Sequence, residues 1–523
     1  MKKIVYLVFS VFLFSCGDFL EEFSQDLAYA RNCEDLDELL IGSGYMASDN
    51  MAMGVYSAYY AYLQMMDDDV SVDFYGAGQE KHDRTLGYRN FYTWSNQLTI
   101  NPTNGEEWKD TDWKRIYEHI GYLNVIIGKI KDFTRDSAFL RDRVEGEARF
   151  LRGAYYYLLA NLYANPYVKE TAQTDMGVPL NLTEDIEDKY FMRNSMEQTY
   201  AAIVNDLVIA ADKLKGVTQK NYYRIEEAGA RILLSRVYLY MGEWQLAMNE
   251  CEKIAQMRMA KRELRDVNTW TKYVNGARHG WLDTRNGKIP DNPEVLFTQG
   301  NPLMGNFDVA YGGQSNNIGG RFCASQELID LYSKYEDEGV EDMRLWAYFE
   351  LLASKMNYFP FKISMMFQDV FDNFVIRTAE YYLNRAEAAA MLEQPGVAIE
   401  ALKTLMENRF KDGKIPNIDG LSGEALIKFI REERRRELCF ECHRWFDLRR
   451  YAVYPKYPEK KSITHPVYSF AAEGTMGVYE GSYTLKPYGE DPAWVLPIPA
   501  YEIVYNQGAL VDNPQRVKRE LDK

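Results

Sequence analysis

The chain of 523 residues carries 61 Lys and Arg against 77 Asp and Glu, a formal net charge of −16, with 46% hydrophobic and 26% charged residues. It is long enough to bury a large core and balanced enough to need no long disordered tract. An acidic chain is a poor counterion for phosphate, which argues against a nucleic-acid partner. The five His residues (His82, His119, His279, His443 and His465) include no pair at helical ligand spacing, which argues against a catalytic zinc site.

The chain begins with Lys2 and Lys3, then an apolar run from Ile4 to Phe14 broken only by Ser10. A basic start followed by a short apolar run reads as a signal peptide, and the run is too short to span a bilayer. It ends in Leu13-Phe14-Ser15-Cys16-Gly17, which resembles the bacterial lipobox. That resemblance implies removal of residues 1–15 and lipidation of Cys16. Asp18, Glu21 and Glu22 follow, similar to the surface-export signal of Bacteroidetes lipoproteins; an ordinary solvated tether is the other reading. No later stretch reaches 18 apolar residues. The remaining cysteines, Cys33, Cys251, Cys323, Cys439 and Cys442, are odd in number and scattered, which argues against a disulfide framework. Cys439 and Cys442 form a C-x-x-C without a second pair and read as helix-packing residues.

Residues 66–112 read as an irregular segment. It holds Asp67-Asp68-Asp69, expected to be a solvated acidic loop with a Ca²⁺ site as the alternative, and then Arg89, Tyr92, Trp94 and Asn96. A helix restarts near Trp113. Val144, Ala148, Leu151, Tyr155, Leu158 and Leu162 form one apolar stripe at helical spacing. Ala230, Leu234, Val237 and Met241, a turn at Gly242-Glu243, then Ala247, Cys251 and Ile254 describe a helical hairpin. The same design recurs at Ala379, Leu383, Ala386 and Ala390, a turn at Gln394-Pro395-Gly396, and Ala398, Leu402 and Leu405. Such hairpins cannot bury their faces alone and should stack on helices near 144–165, 196–215 and 424–450. The expectation is a mostly α fold with tetratricopeptide-like repeats over about 113–256 and 325–450. Residues 257–324 read as irregular, with one short strand at 294–298, and 451–499 as a Pro-, Tyr- and Gly-rich loop.

Four separated segments resemble the SusD/RagB family of outer-membrane nutrient-binding lipoproteins. They run from Glu147 to Tyr157 with Gly177-Val178-Pro179-Leu180; from Arg377 to Ala388; from Glu433 to Arg450; and Leu496-Pro497-Ile498-Pro499 with Glu502 and Asn506. Ser325 to Tyr332 and Asp342-x-Arg344 also fit, so the resemblance spans nearly the whole chain in order. One departure is Cys442, where the family usually has Gly. The Arg-rich run 434–436 is interleaved with Glu432, Glu433, Glu437 and Glu441 and reads as a self-paired helix rather than a nucleic-acid patch.

The resemblance implies one SusD-like domain over 16–523 whose long irregular loops, about 66–112 and 257–324, form the ligand face. It further implies a lipid-anchored outer-membrane protein, facing the cell exterior, that binds glycan and delivers it to a SusC-type TonB-dependent transporter. No enzyme activity, cofactor or metal is expected. A sugar ring stacks its CH face on Trp or Tyr and needs planar or forked partners for its hydroxyls. Two clusters meet that need: Trp94 with Tyr92, Asn96 and Arg89, and Trp270 with Tyr273, Trp281 and Arg285. Burial against a helix is the competing reading for each Trp. A peptide-capturing RagB-like member, a purely structural lid, and a glycoside hydrolase with two apposed carboxylates are the alternative functions. No nucleophile elbow, HExxH or Walker motif is present.

Overall fold

A computed structural model describes residues 30–46, 59–60, 62–72, 88–100, 105, 110–185, 188–257, 264, 266, 294–299, 322–351, 357–360, 374–469 and 475–523. The expected signal segment, Cys16, and Trp270, Tyr273, Trp281 and Arg285 lie outside the described residues. Among those described there are fourteen α-helices and only short strands. None of these helices is long and apolar enough to cross a membrane.

The helices are α1 (Cys33–Leu39), α2 (Arg89–Tyr92), α3 (Thr111–Lys129), α4 (Ala138–Tyr163), α5 (Met196–Lys213), α6 (Glu227–Tyr240), α7 (Trp244–Ala255), α8 (Gln326–Ser333), α9 (Arg344–Tyr348), α10 (Thr378–Met391), α11 (Pro395–Met406), α12 (Gly423–Leu438), α13 (Arg444–Val453) and α14 (Ala500–Tyr505). Their ends follow ordinary capping chemistry. Asp110 accepts from Asp112 N at the start of α3, and Ser195 and Gln198 form a capping box at α5. The expected stack is present: α3 packs on α4, α4 on α5, α5 on α6, α6 on α7, and α10 on α6, α7, α11 and α12. Gly146 and Gly153 let α4 and α5 approach closely, since a Cβ at either would lie about 3 Å from Leu214 or Leu207. The two repeated hairpins are therefore α6–α7 and α10–α11.

Among the described residues there are four antiparallel strand pairs. β1 (Val70–Val72) pairs with β3 (Phe322–Ala324), β2 (Val295–Phe297) with β6 (Ile376–Arg377), and β4 (Phe349–Leu351) with β5 (Tyr358–Pro360). β7 (Ile463–Tyr468) and β8 (Tyr479–Leu485) make a hairpin with Ile463 opposite Leu485. The strand expected at 294–298 is thus found. The reading of 451–499 as loop is corrected: alternate buried residues Ile463, His465 and Val467 give β7 a period of two, which Pro466 hides in the sequence.

The reading of 424–450 as one helix is also corrected. Phe440 (φ +58°) and Cys442 (φ +61°) adopt left-handed backbone, which ends α12 and starts α13. Cys439 and Cys442 lie in this break and not inside a helix. Only Gly takes that conformation without strain, so the Gly to Cys departure at 442 bears on the backbone of the turn.

Arginine and carboxylate pairs fill the core between α9, α10 and α12. Arg344 Nη1 is 2.7 Å from Glu433 and 2.9 Å from Glu437, Arg409 Nε is 3.0 Å from Glu437, and Arg377 Nη2 is 2.7 Å from Glu441. Glu294, beside β2, reaches both Arg409 and Arg377. All of these side chains are buried. Burial would raise the Glu437 carboxyl, yet Arg409, Arg377 and Arg344 hold it well below the usual range. The self-paired reading of 434–436 fits Arg436, which bonds Glu433 at 2.8 Å. It fails for Arg434 and Arg435, which pair with Asp447 on α13 and with Asp69.

The C-terminal segment returns across the molecule. Asn513 donates to Tyr163 O at the end of α4 (2.8 Å) and accepts from Arg193 (2.8 Å). Arg519 donates to Thr484 O (2.8 Å) and to Trp94 O (3.2 Å), and Asp522 bridges the backbone of Ser482.

Candidate functional site

The first candidate cluster lies on α2 and the turn after it. Tyr92 and Trp94 are fully buried, which corrects their expected role as stacking platforms. Trp94 Nε1 donates to Met66 O (3.0 Å), and Tyr92 OH donates to Pro466 O (3.0 Å). His465 of β7 lies between the two rings, with centroids 4.2 Å from Tyr92 and 4.3 Å from Trp94. Its Nδ1 lies 2.6 Å from Tyr92 O and its Nε2 2.9 Å from Asp67 O. Burial pushes the imidazole down to about 4, so the ring is neutral at neutral pH. A neutral ring donates to one of these carbonyls, whereas only a charged ring serves both. Three segments converge on Trp94, and the large aromatic is the centre of their packing. Asn96 is exposed and Arg89 half-buried, so these two remain at the surface.

Beneath this cluster, Asp67, Asp68 and Asp69 lie within 4.8 Å of one another and are buried. The expected solvated loop is corrected. Arg444 bonds Asp68 at 2.7 Å, Arg435 bonds Asp69 at 2.7 Å, and Lys461 also reaches Asp68. Burial would raise Asp68, but Arg435 and Arg444 hold it well below the carboxylate range. Two guanidinium groups and an ammonium group thus supply the positive charge that a Ca²⁺ reading would assign to the ion. The triplet fixes the 66–72 segment to α12 and α13, and His465 ties the 92–94 turn to it.

Sequence reasoning missed a second feature, a cleft of about 210 Å³ where α3, residues 179–181 with Phe191, and α14 meet. Trp113, Tyr117, Phe191 and Tyr505 supply aromatic walls, and Asn181 and Glu502 supply polar groups. Trp113 packs against Tyr117 at 5.0 Å and edge-on to Tyr163 at 4.9 Å, so that wall is fixed. Asn506 accepts from Phe191 N (2.8 Å) and donates to Glu502 O (2.9 Å), which joins the two sides. The Tyr505 side is open: that residue is 75% exposed. The Glu502 carboxylate is half-buried and has no hydrogen bond or ion pair among the described residues; burial raises it, and the nearby charge of Lys114 opposes that rise in part. The Asn181 side-chain NH₂ is likewise unpartnered, its Oδ1 accepting from Thr183 N. The signal available was the spacing Tyr501, Val504, Tyr505, one helical face that is apolar yet exposed. It is legible only once burial is known.

A larger groove of about 450 Å³ lies along α5, α6 and α7. Its central Arg231 is held by Glu227 and Glu250, both at 2.8 Å, so its charges are already paired.

Comparison with known families decides the identity. The model of the SusD family matches residues 362–515, and a second model, described as starch-binding and associating with outer membrane, matches residues 36–239. The chain belongs to the SusD family. SusD-like protein P25 of Formosa agariphila is 22% identical over 506 residues, covering 87% of this chain and 90% of the relative. A protein of Bacteroides vulgatus superposes with a TM-score of 0.69 at 21% identity, covering 93% of this chain and 99% of the other. A laminarin-binding SusD-like protein superposes with a TM-score of 0.58 at 20% identity, covering 93% and 100%. The tetratricopeptide-like stack is the SusD fold. Trp270, Tyr273, Trp281 and Arg285 fall between the two ranges that the SusD models match. The cleft draws Trp113 and Asn181 from one range and Glu502 and Tyr505 from the other.

Proposed function

We propose that this SusD-family protein captures glycan at the outer membrane without cleaving it and passes it to a SusC-type TonB-dependent transporter. The observation that carries the reading is the family match along the chain, which includes a model described as starch-binding over 36–239. The laminarin-binding relative of the same fold supports it. Cys16 carries the lipid anchor and the binding face points to the cell exterior.

The ligand face uses Asn96 and Arg89 at the surface of the first cluster together with Trp270, Tyr273, Trp281 and Arg285. Tyr92 and Trp94 hold that cluster in place from beneath. The test is a screen of the mature chain, from Gly17 onward, against polysaccharides and peptides, reading both binding and product. Saturable, unprocessed polysaccharide binding that Trp281→Ala or Trp270→Ala weakens is expected. Peptide binding alone, or release of cleaved product, would sink the reading.

A further inference from the structure

We infer that the cleft between α3 and α14 is a second carbohydrate subsite, which takes one pyranose ring against Tyr505 with hydroxyls on Glu502 and Asn181. The ligand class rests on the glycan reading above; the site itself rests on the geometry of the cleft.

Three properties meet there. The first is size: about 210 Å³ is below the roughly 300 Å³ at which pockets for drug-sized ligands begin, and suits a single ring. The second is a platform. Tyr505 is mostly exposed beside a fixed wall of Trp113 and Tyr117, so an apolar ring face gains a flat partner without rearrangement of the core. The third is unspent hydrogen-bonding capacity of both kinds. The Glu502 carboxylate is a pure acceptor with no hydrogen bond among the described residues, and the Asn181 NH₂ is a donor with none. Sugar hydroxyls both donate and accept, so one ring offers partners to both kinds of group. An ammonium ligand would satisfy Glu502 and leave the amide donor unused, and a purely apolar occupant would leave both unmet at a cost.

The cleft is rigid on the sides that matter. Asn506 latches Phe191 to α14, Tyr117 OH donates to Pro179 O (2.8 Å), and Tyr501 OH donates to Asp110 O (2.7 Å). These bonds fix the distance between Asn181 and Glu502 before any ligand arrives.

The experiment uses the mature chain and two sets of probes: glucose, galactose, mannose and xylose by saturation-transfer NMR, and the polysaccharide panel by calorimetry. At least one monosaccharide should bind weakly and saturably. Tyr505→Ala should weaken it by roughly fivefold and Glu502→Gln by roughly tenfold, with unfolding temperatures close to wild type. Polysaccharide affinity should keep its main phase in both variants and lose it in Trp281→Ala. Polysaccharide binding without any monosaccharide binding overturns the subsite and leaves the capture reading intact. Monosaccharide binding indifferent to both cleft variants overturns it too, and so does capture of lysine or arginine by the cleft in place of sugars. Wild-type protein that binds no glycan of either set overturns the capture reading, and the subsite's ligand class falls with it.

Discussion

Glu437 and Glu502 are the same side chain in opposite circumstances. Glu437 is buried among Arg344, Arg377 and Arg409 and is held well below the carboxylate range. Glu502 is half-buried beside aromatic rings, has no hydrogen bond or ion pair among the described residues, and is raised by burial. The first carboxylate is saturated by its own chain and specifies how helices stack. The second keeps unused hydrogen-bonding capacity, although the charge of Lys114 acts on it. A buried charge is thus not by itself a sign of function in this protein.

Removing Glu437 breaks the contrast most severely. Glu437→Ala leaves three guanidinium groups without their shared acceptor and is expected to cost about 3–5 kcal/mol, read by chemical denaturation. Its pH dependence has a definite sign. A lowered carboxyl contributes stability that is present above about 4.5 and is lost as the pH falls through its folded value, so wild type should weaken on acidification more steeply than the variant. Trp94→Ala comes next. The ring is enclosed by His465 and bonded to Met66, so the loss should be about 3 kcal/mol of stability. An unchanged unfolding temperature with abolished glycan binding would return Trp94 to the ligand face.

Glu502→Gln should behave in the opposite way to Glu437→Ala. A raised carboxyl favours the folded state below about 4.5, and that advantage is lost as the pH rises through its folded value. The variant should therefore equal or exceed wild type in unfolding temperature at pH 7, with the difference shrinking toward pH 4.5. A clear loss of stability at pH 7 would mean that Glu502 is a structural residue like Glu437. The smallest effect concerns Gln507, which is exposed at φ +50° just after α14. Gln507→Gly relieves left-handed strain and should stabilise by about 0.5 kcal/mol while leaving the cleft intact.

Much of the scaffold was legible because helices announce themselves through spacing. The stripe from Val144 to Leu162 and the two Ala-rich hairpins all appear where periodicity places them. The break at 439–443 was hidden because no Gly or Pro marks it, and left-handed Phe440 and Cys442 depend on contacts from other segments. The β7–β8 hairpin was hidden by Pro466. The site was less legible, since Tyr92 and Trp94 have the composition of a sugar platform and the packing of a core. What separates the two is His465, which lies more than 370 residues further along the chain. Asp67 to Asp69 looked solvated for the same reason: their partners Arg435 and Arg444 are as distant in sequence.

The return of the C-terminal segment also bears on the order in which the protein is assembled. Trp94, the end of α4 and the 191–193 segment each take a contact from residues between 506 and 519. A chain emerging N-terminus first therefore lacks the closing pieces of its earliest packed layers until almost every residue has been released. Until then those layers keep open edges, so the last residues to be made are the ones that lock the first to pack.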